Sequence, residues 1–400
     1  MLFVHSLFGQ TGFRLLQAPT FFPTYIRLLT GSDAAVGIAR AVQSAGMFLS
    51  PFFGVGAVQS RKRVKGLLLG FGSIMRLQLL LLAAIALFLP PPVAAIVVWP
   101  VVFLWGVGTG LQMVAFNFVL AKTVPTAARG RLLGARSMVA GITLIGVSAA
   151  AGLLLQRYGF PRGYGLAFLL AFALTSLGLA SLAWLREPET LELRPVPDAR
   201  QLLREVPGLL RGDASYTRFV GAHVLASAAR GALPYYILWV AQRHEISGAL
   251  LAGLTIAYTV AQAVLSLVWG LVGDRAGFVR VLALALVVWL GGSALALFGP
   301  DDLVAGYVVF VLVAAGFSGH LLAAQALALE FGREGDRALR IATSSALGEL
   351  VGTVGFLAAG LLAHFVSIQA VLVLSMVLQI SGLGLVAKLR DPRASRRVSG

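Results

Sequence analysis

The sequence predicts an all-α membrane protein with twelve transmembrane helices in two pseudo-symmetric six-helix bundles. Hydrophobic residues make up 58% of the 400 residues and charged residues only 12%, whereas a soluble domain has about 25% charged residues. Apolar runs of about twenty residues, long enough to cross a bilayer as helices, recur along the chain. Matching residues also recur in its two halves. The lipid bilayer must therefore solvate most of this chain.

The apolar runs predict twelve spans, with ends placed to within a few residues. They cover roughly residues 3–28, 34–58, 66–89, 93–120, 131–155, 162–185, 216–241, 247–271, 279–299, 302–330, 338–363 and 367–388. The first run contains polar residues and no small-residue cleavage site, so we interpret it as a retained helix and not as a signal peptide.

A proline-containing, charged stretch separates the sixth and seventh spans. Within it, several apolar residues fall on one helical face: Leu202, Leu203, Val206, Leu209 and Leu210. This pattern predicts a short amphipathic helix that lies either on the membrane or on the helix bundle. The predicted domains are therefore a first bundle over 1–186, a linker over 187–215, and a second bundle with a basic tail over 216–400.

The basic residues lie mostly in loops on one side of the predicted spans, and the net charge is +16. This distribution predicts a plasma (inner) membrane protein with both termini in the cytoplasm. It also favours the anionic lipids of the inner leaflet and argues against a nucleic-acid partner. The absence of cysteine excludes disulfides and thiolate metal sites.

The two halves share four features in the same order, at offsets between 208 and 216 residues. The matched features are Pro19 with Pro234, Arg14 with Arg230, Gly56-x-x-x-Ser60-Arg61 with Gly270-x-x-x-Asp274-Arg275, and Lys122 with Glu330, each seven residues before an arginine. Four matches at nearly constant offset indicate an internal duplication, as in transporters built from repeated bundles.

The short loop between the eighth and ninth spans contains Gly270, Asp274, Arg275 and Gly277, followed by Arg280. Gly-x-x-x-Asp-Arg-x-Gly followed by a basic residue resembles the signature of the major facilitator superfamily of secondary transporters. The resemblance implies that the chain has the fold of this family and transports a small-molecule substrate by alternating access. It also implies that the protein is a monomer.

In that family, the Asp of this loop meets a helix N-terminus in the other half and keeps the cytoplasmic side closed. A carboxylate at a helix N-terminus is favoured by about 0.3–2 kcal/mol. The resemblance implies that Asp274 lies near Gly130 and Arg131, that Gly270 allows close helix approach, and that Arg275 pairs with Glu330. The alternative is that these are solvated loop charges. We call this set the cytoplasmic gate: Gly130, Arg131, Gly270, Asp274, Arg275, Gly277, Arg280 and Glu330.

The first half departs from the signature. Ser60 replaces the Asp, and Lys122 stands where Glu330 stands in the second half. Because both acids are absent together, we expect that this half lacks the whole acid-dependent gate interaction of the second half.

Two arginines lie near the middle of the first and seventh spans, where a charge costs roughly 2.5–3.5 kcal/mol. In the family these helices line the central cavity, so Arg14 and Arg230 predict an anion site with forked charge-assisted bonds. The organophosphate:phosphate antiporters of the superfamily use such a pair. The alternative is that each arginine binds carbonyls of its own helix. Arg76 is expected to be structural, and Arg40 to reach the outer interface.

The remaining candidates are grouped by chemistry. The other predicted substrate-binding residues have amide or phenol side chains: Gln17, Gln112, Asn117, Tyr235, Gln262 and Gln325. Predicted proton-coupling residues are Glu349, His223 and His320, which lie inside spans and can gain and lose a proton. Two interpretations of Glu349 stay open, because it can also form a buried pair with Arg230.

The predicted function is secondary active transport, with an exporter or exchanger of organic anions as the first hypothesis. A drug/proton antiporter is the alternative, and a non-transporting receptor or assembly factor with this fold is a third class. We find no nucleophile motif, phosphate-binding loop or metal-ligand cluster. The sequence therefore predicts neither an enzyme nor a cofactor.

Asp274→Asn is expected to slow transport and to leave ligand affinity within a few-fold, because it removes the charge that the gate requires. Turnover measured in proteoliposomes beside ligand affinity provides the test. Unchanged turnover would contradict the gate.

Overall fold

The computed structural model describes residues 2–123, 126–185, 187–189, 199–331, 336–389 and 392. Every regular element in these residues is a helix. Eleven helices within them are long and apolar enough to cross a membrane. The first apolar run is divided into shorter helices and is not among the eleven. The predicted all-α membrane fold class is thus confirmed.

The chain packs as two units, one of residues 1–196 with 245–256 and one of residues 197–244 with 257–400. The first half of the chain forms α1 (Leu2–His5), a π-helical turn (Ser6–Gln10), α2 (Thr11–Gln17), α3 (Phe21–Thr30), α4 (Asp33–Gln59), α5 (Lys65–Phe88), α6 (Pro91–Thr123), α7 (Thr126–Tyr158) and α8 (Arg162–Ala183). The second half forms α9 (Ala199–Gly212), α10 (Ala214–Ala229), a 3-10 turn (Arg230–Ala232), α11 (Leu233–Ala241), α12 (Gly248–Ala276), α13 (Phe278–Phe298), α14 (Leu303–Glu330), α15 (Arg337–Phe365) and α16 (Ile368–Val386).

The first residues of α12 pack inside the first unit. A Cβ atom on Gly248 would lie 2.0 Å from the carbonyl oxygen of Gly152 on α7, so both backbones meet through glycine. Nearby, the hydroxyls of Thr20 and Thr255 are hydrogen-bonded at 2.6 Å in a buried position. This part of α12 therefore has a close-packed contact with the helices of the first unit.

The first span is broken, in contrast to the single helix predicted over 3–28. Helix α2 ends at Gln17, and α3 begins at Phe21. Ala18 has an extended ψ of 145°, as expected for a residue that precedes proline. Pro19 itself has no N–H to continue the helix. The proline overrides the apolar pattern that predicts one continuous helix.

Charged residues continue α12 beyond the predicted end of the eighth span near residue 271. The helix extends through Asp274 and Arg275 to Ala276, and Gly277 alone connects it to α13. Gly277 has a φ of 90°, which only glycine adopts readily. By contrast, no described atom lies within 4 Å of a Cβ placed on Gly270. Gly270 therefore makes no close helix contact with the described residues in this structure, and its predicted role stays a prediction.

The linker forms the predicted amphipathic helix, α9. Its Leu209 and Leu210 pack against a core cluster of the second unit that includes Tyr216, Phe219 and Phe331. The sequence predicts that this helix lies either on the membrane or on the helix bundle. The C-terminal end of α9 lies on the helix bundle.

A buried arginine connects the end of the linker to the start of α15. Arg340 donates to Asp213 at 2.7 Å and to Asp336 at 2.9 Å. Asp213 also accepts from the backbone N–H of Tyr216, whose hydroxyl donates to the carbonyl of Arg340. Burial acts to raise the pKa of Asp213, but the hydrogen bonds from Tyr216 and Arg340 outweigh it and hold the pKa below its usual value.

Gly316→Ala is expected to destabilise the second unit by about 1–3 kcal/mol, because overpacking a close helix contact strains both helices. A Cβ atom there would lie 2.4 Å from the Cβ of Trp289 and 2.7 Å from the carbonyl of Ala285 on α13. Thermal unfolding in detergent measures the effect.

Gly306→Ala on the same helix is the matched control, because its nearest neighbour, on Val240, would be at an ordinary 3.7 Å. This variant is expected to be unchanged or more stable by about 0.4–1 kcal/mol, since alanine reduces the freedom of the unfolded chain. Equal destabilisation by the two variants would contradict the packing argument.

Candidate substrate and coupling site

Arg230 lies where the seventh span is interrupted. Helix α10 ends at Ala229, and a 3-10 turn over Arg230–Ala232 leads into α11. Pro234 is in the first turn of α11. Because a proline lacks an N–H and clashes with the carbonyl four residues earlier, it disturbs the helix at the position of Arg230. The sequence therefore places a charged side chain at a local break in a membrane helix.

Arg230 and Glu349 form a forked ion pair. Nη1 of Arg230 donates to one carboxylate oxygen at 3.0 Å, and Nη2 donates to the other at 3.2 Å. Nε donates to the carbonyl of Ser227 at 3.3 Å. A Cβ atom on Gly352 would lie 2.0 Å from Nη2, so a glycine is needed beside the guanidinium. Of the two interpretations of Glu349, the pair with Arg230 is formed in this structure.

The two partners differ in accessibility. The side chain of Arg230 is 12% exposed, whereas that of Glu349 is 45% exposed. The guanidinium is thus held by its surroundings, and the carboxylate that faces it is more open. A forked arginine–carboxylate pair is among the stronger polar contacts in proteins, and here it demonstrates that this arginine can bind a carboxylate.

Two histidines pack beside this pair. The rings of His223 on α10 and His320 on α14 are stacked, with centroids 5.1 Å apart. His320 is fully buried. A Cβ atom on Gly348, the neighbour of Glu349, would lie 2.3 Å from Nε2 of His223. The structure therefore brings Arg230 and the three predicted proton-coupling residues together within the second unit.

In the first unit, Arg40 does not reach the outer interface as predicted. Its side chain is buried, donates to the carbonyls of Leu16 at 3.3 Å and Ala18 at 3.1 Å, and lies 5.1 Å from the centre of the Phe22 ring. It also donates to Gln17, a predicted substrate residue, at 3.4 Å. The break at Pro19 leaves carbonyls without helical partners, and Arg40 satisfies them.

Arg76 has the structural role that the sequence predicted. It donates to the carbonyl of Thr175 at 2.6 Å and to that of Gly72 at 2.7 Å. Its third bond is to the side chain of Gln112 at 3.0 Å. Gln112, a predicted substrate residue, is thus buried and bonded to Arg76 in this structure.

The other predicted substrate residues are distributed over both units. Arg14 is half-buried on α2, and Asn117 is exposed on α6. In the second unit, Tyr235 is completely buried, Gln262 is half-buried and Gln325 is exposed. Their joint role in one substrate site stays a prediction.

The gate residues of the second unit lie at the ends of helices. Asp274 and Arg275 are exposed in the last turn of α12, and Arg280 is exposed in the first turn of α13. Glu330 is the last residue of α14. The side chains of Gly130 and Arg131 lie outside the described residues, so the gate also stays a prediction.

The sequence analysis missed Glu187, which follows the sixth span. Its carboxylate accepts from Lys122 at 2.9 Å and from the backbone N–H groups of Val64 at 2.9 Å and Lys65 at 2.7 Å. It therefore binds the N-terminus of α5 and the end of α6 together. Lys122, which stands where Glu330 stands in the second half, thus has an acidic partner of its own in this structure. The signal was that Glu187 is the first acid after an almost acid-free bundle.

The environment of Glu187 favours its charged form. Burial acts to raise the pKa of this carboxyl, but the hydrogen bonds from Lys122 and from the two backbone N–H groups act more strongly in the opposite direction. The pKa of Glu187 therefore lies below its usual value near 4.5.

Comparison with known proteins finds a family model for the second half of the chain and solved structures with a similar fold. Residues 219–400 match the family model described as Major Facilitator Superfamily. No curated protein sequence matches the chain. A solved variant of the nucleoside transporter NupG has a TM-score of 0.77 at 12% identity, covering 97% of this chain and 98% of that one. A D-xylose-proton symporter has a TM-score of 0.75 at 14% identity, covering 98% and 97%.

The second half of the chain therefore matches this superfamily in sequence, and the whole chain shares the fold of the two solved transporters. The eleven long apolar helices of the described residues are those of an integral multi-pass membrane protein. At these identities the structural likeness extends to the fold, and substrate specificity has to be argued from the side chains of this chain.

Glu187→Gln is expected to lower the melting temperature near neutral pH, because it weakens a charge-assisted network that contributes on the order of 1.5–3 kcal/mol. Since the pKa of Glu187 is lowered by folding, its carboxylate adds stability above the usual carboxyl pKa. That stability is lost as the pH falls through the lowered pKa.

Melting temperatures of the wild type and Glu187→Gln, measured from pH 7 downward, should therefore converge in acid. Glu189→Gln is the control, because Glu189 pairs with Arg63 in an exposed position. A constant difference between the two melting curves at all pH values would show that the charge of Glu187 is not responsible.

Proposed function

We propose that this protein is a secondary transporter that carries a small organic anion by alternating access, with Arg230 as an anion-binding group. The observation that carries the proposal is the forked contact between Arg230 and a carboxylate at a break in the seventh span. Broken helices form substrate sites in many secondary transporters. A carboxylate or phosphate of a solute matches the same two donors.

The rest of the second unit supports this proposal. Glu349 is partly exposed, so a solute has access to its side of the pair. Arg14, at the position in the duplication that corresponds to Arg230, is the proposed second arginine. The gate residues around Asp274 are proposed to close the cytoplasmic side, and the charge of the loops supports cytoplasmic termini.

Proton coupling is a second part of the proposal. His223, His320 and Glu349 gather beside Arg230 and can each bind a proton. One protein of similar fold is described as a D-xylose-proton symporter. A gradient of protons is therefore the proposed energy source for this chain.

Arg230→Gln is expected to remove anion binding. The ligand panel contains three organic anions and two lipophilic cations. The anions are lactate, succinate and glycerol 3-phosphate, and the cations are tetraphenylphosphonium and ethidium. A bound ligand at one hundred times its Kd stabilises the fold by about 2.7 kcal/mol, which appears as a higher melting temperature. We expect stabilisation by at least one anion, a loss of about tenfold or more in its affinity in Arg230→Gln, and a smaller loss in Arg230→Lys.

Two controls accompany this measurement. Arg243→Gln removes an arginine that pairs with Asp301 away from the candidate site, and should bind anions as the wild type does. Arg230→Gln/Glu349→Gln avoids an unpaired carboxylate and keeps the fold intact if the single variant is unstable. If only the cations stabilise the protein, and the same stabilisation is measured in Arg230→Gln, the drug/proton antiporter is favoured and the anion proposal is contradicted.

A further inference from the structure

The anion-binding edge of Arg230 is already filled by Glu349. Nη1 and Nη2 contact the two carboxylate oxygens, and Nε is directed to the carbonyl of Ser227. Nη2 also lies 3.5 Å from the carbonyl of Gly348. A solute anion that binds the same edge in a forked manner must therefore displace the carboxylate of Glu349.

The surroundings of Glu349 determine what happens to a displaced carboxylate. From α10 and the 3-10 turn, the titratable neighbours are His223 and Arg230, and α14 contributes His320, which stacks on His223. Glu330, at the end of α14, lies toward the distant start of α15. Helix α16 has no titratable residue, and α9 carries Glu205 and Arg211 near the distant start of α15. Arg230 is the fixed cation in contact with Glu349, so a displaced carboxylate inside a membrane span loses this counter-charge.

We propose that Glu349 is an internal counter-anion which the substrate replaces, and that the displaced carboxyl group then binds a proton. Before binding, Arg230 and Glu349 form a neutral pair. Afterwards, Arg230 and the solute anion form a neutral pair, and Glu349 is a neutral acid. One proton is taken up with each singly charged solute anion, so the site stays neutral throughout. This inference rests on the proposed anion binding at Arg230.

The geometry favours Glu349 over the histidines for this role. His320 is enclosed by rings, with His223 at 5.1 Å and Trp289 at 6.4 Å between centroids, and neither of its nitrogens has a hydrogen-bond partner among the described residues. A proton on either histidine would add a second positive charge near Arg230. A proton on Glu349 instead removes a negative charge that has lost its partner.

The test measures protons and anions together in the purified full-length protein. Calorimetric titration with the stabilising anion, in two buffers of different ionisation enthalpy, gives the number of protons taken up per anion bound. The wild type should take up about one proton, and its affinity should fall roughly tenfold for each unit of rising pH. An infrared difference spectrum should show a protonated carboxyl band upon anion binding.

Glu349→Gln should bind the anion at least tenfold more tightly, with no proton uptake, no pH dependence and no carboxyl band. Asp301→Asn is the matched control, because it removes a carboxylate from another arginine pair, away from this site. It should behave as the wild type. Inorganic phosphate provides a second probe in the same titrations.

The outcomes separate this inference from the proposed function. Anion binding that depends on Arg230 but occurs without proton uptake is one such outcome, and proton uptake that is retained in Glu349→Gln is another. Either result would contradict the counter-anion role of Glu349 but not the proposed anion transport. Uptake lost in His223→Gln but kept in Glu349→Gln would also overturn it and assign coupling to the histidine. Binding of no anion, or binding independent of Arg230, would overturn the proposed function and this inference with it.

Discussion

The structure depends on satisfying the backbone where membrane helices are broken. A carbonyl or N–H group without a partner in the apolar part of a bilayer costs several kcal/mol, so each break needs a compensating donor. In the first unit, Arg40 provides this donor for the carbonyls of Leu16 and Ala18. In the second unit, Arg230 lies at the 3-10 turn, and its Nε donates to the carbonyl of Ser227, which also accepts from the backbone N–H of Arg230. The proline-containing breaks and the arginines therefore belong to one structural arrangement.

Arg40 and Arg230 direct their N–H groups to different kinds of acceptor, and for this reason, of the two, only Arg230 is a candidate for binding a solute anion. Arg40 is directed to backbone carbonyls and to side-chain amides next to it, and is buried. Arg230 directs both terminal nitrogens to a single carboxylate that is partly exposed. A buried arginine bound to carbonyls stabilises a fold, whereas an arginine bound to a replaceable carboxylate can exchange that partner for a solute.

Carboxylates in the described residues are placed where a cation or a helix terminus meets them. Glu187 joins Lys122 to the N-terminus of α5, and Asp213 joins Arg340 to the N-terminus of α10. These two contacts fix helix ends within their own units. Glu349 differs, because its partner is at the middle of a broken span and its side chain is open. The same chemistry thus stabilises the helix ends and forms the pair in which we propose an exchangeable charge.

The sequence by itself determined the membrane class and the family resemblance of the second half, and it selected Arg230 and Glu349 as candidates, because hydropathy, loop charge and residue spacing are local properties. Only the tertiary structure decided which side chains meet. Arg40 was expected at the interface, yet it binds the broken first span, since the carbonyls at the break are visible only when α2 and α4 pack together. The sequence analysis made no prediction for Glu187, yet this residue binds Lys122 from 65 residues further along the chain. Contacts of that kind depend on the path of the whole chain, which no local pattern encodes.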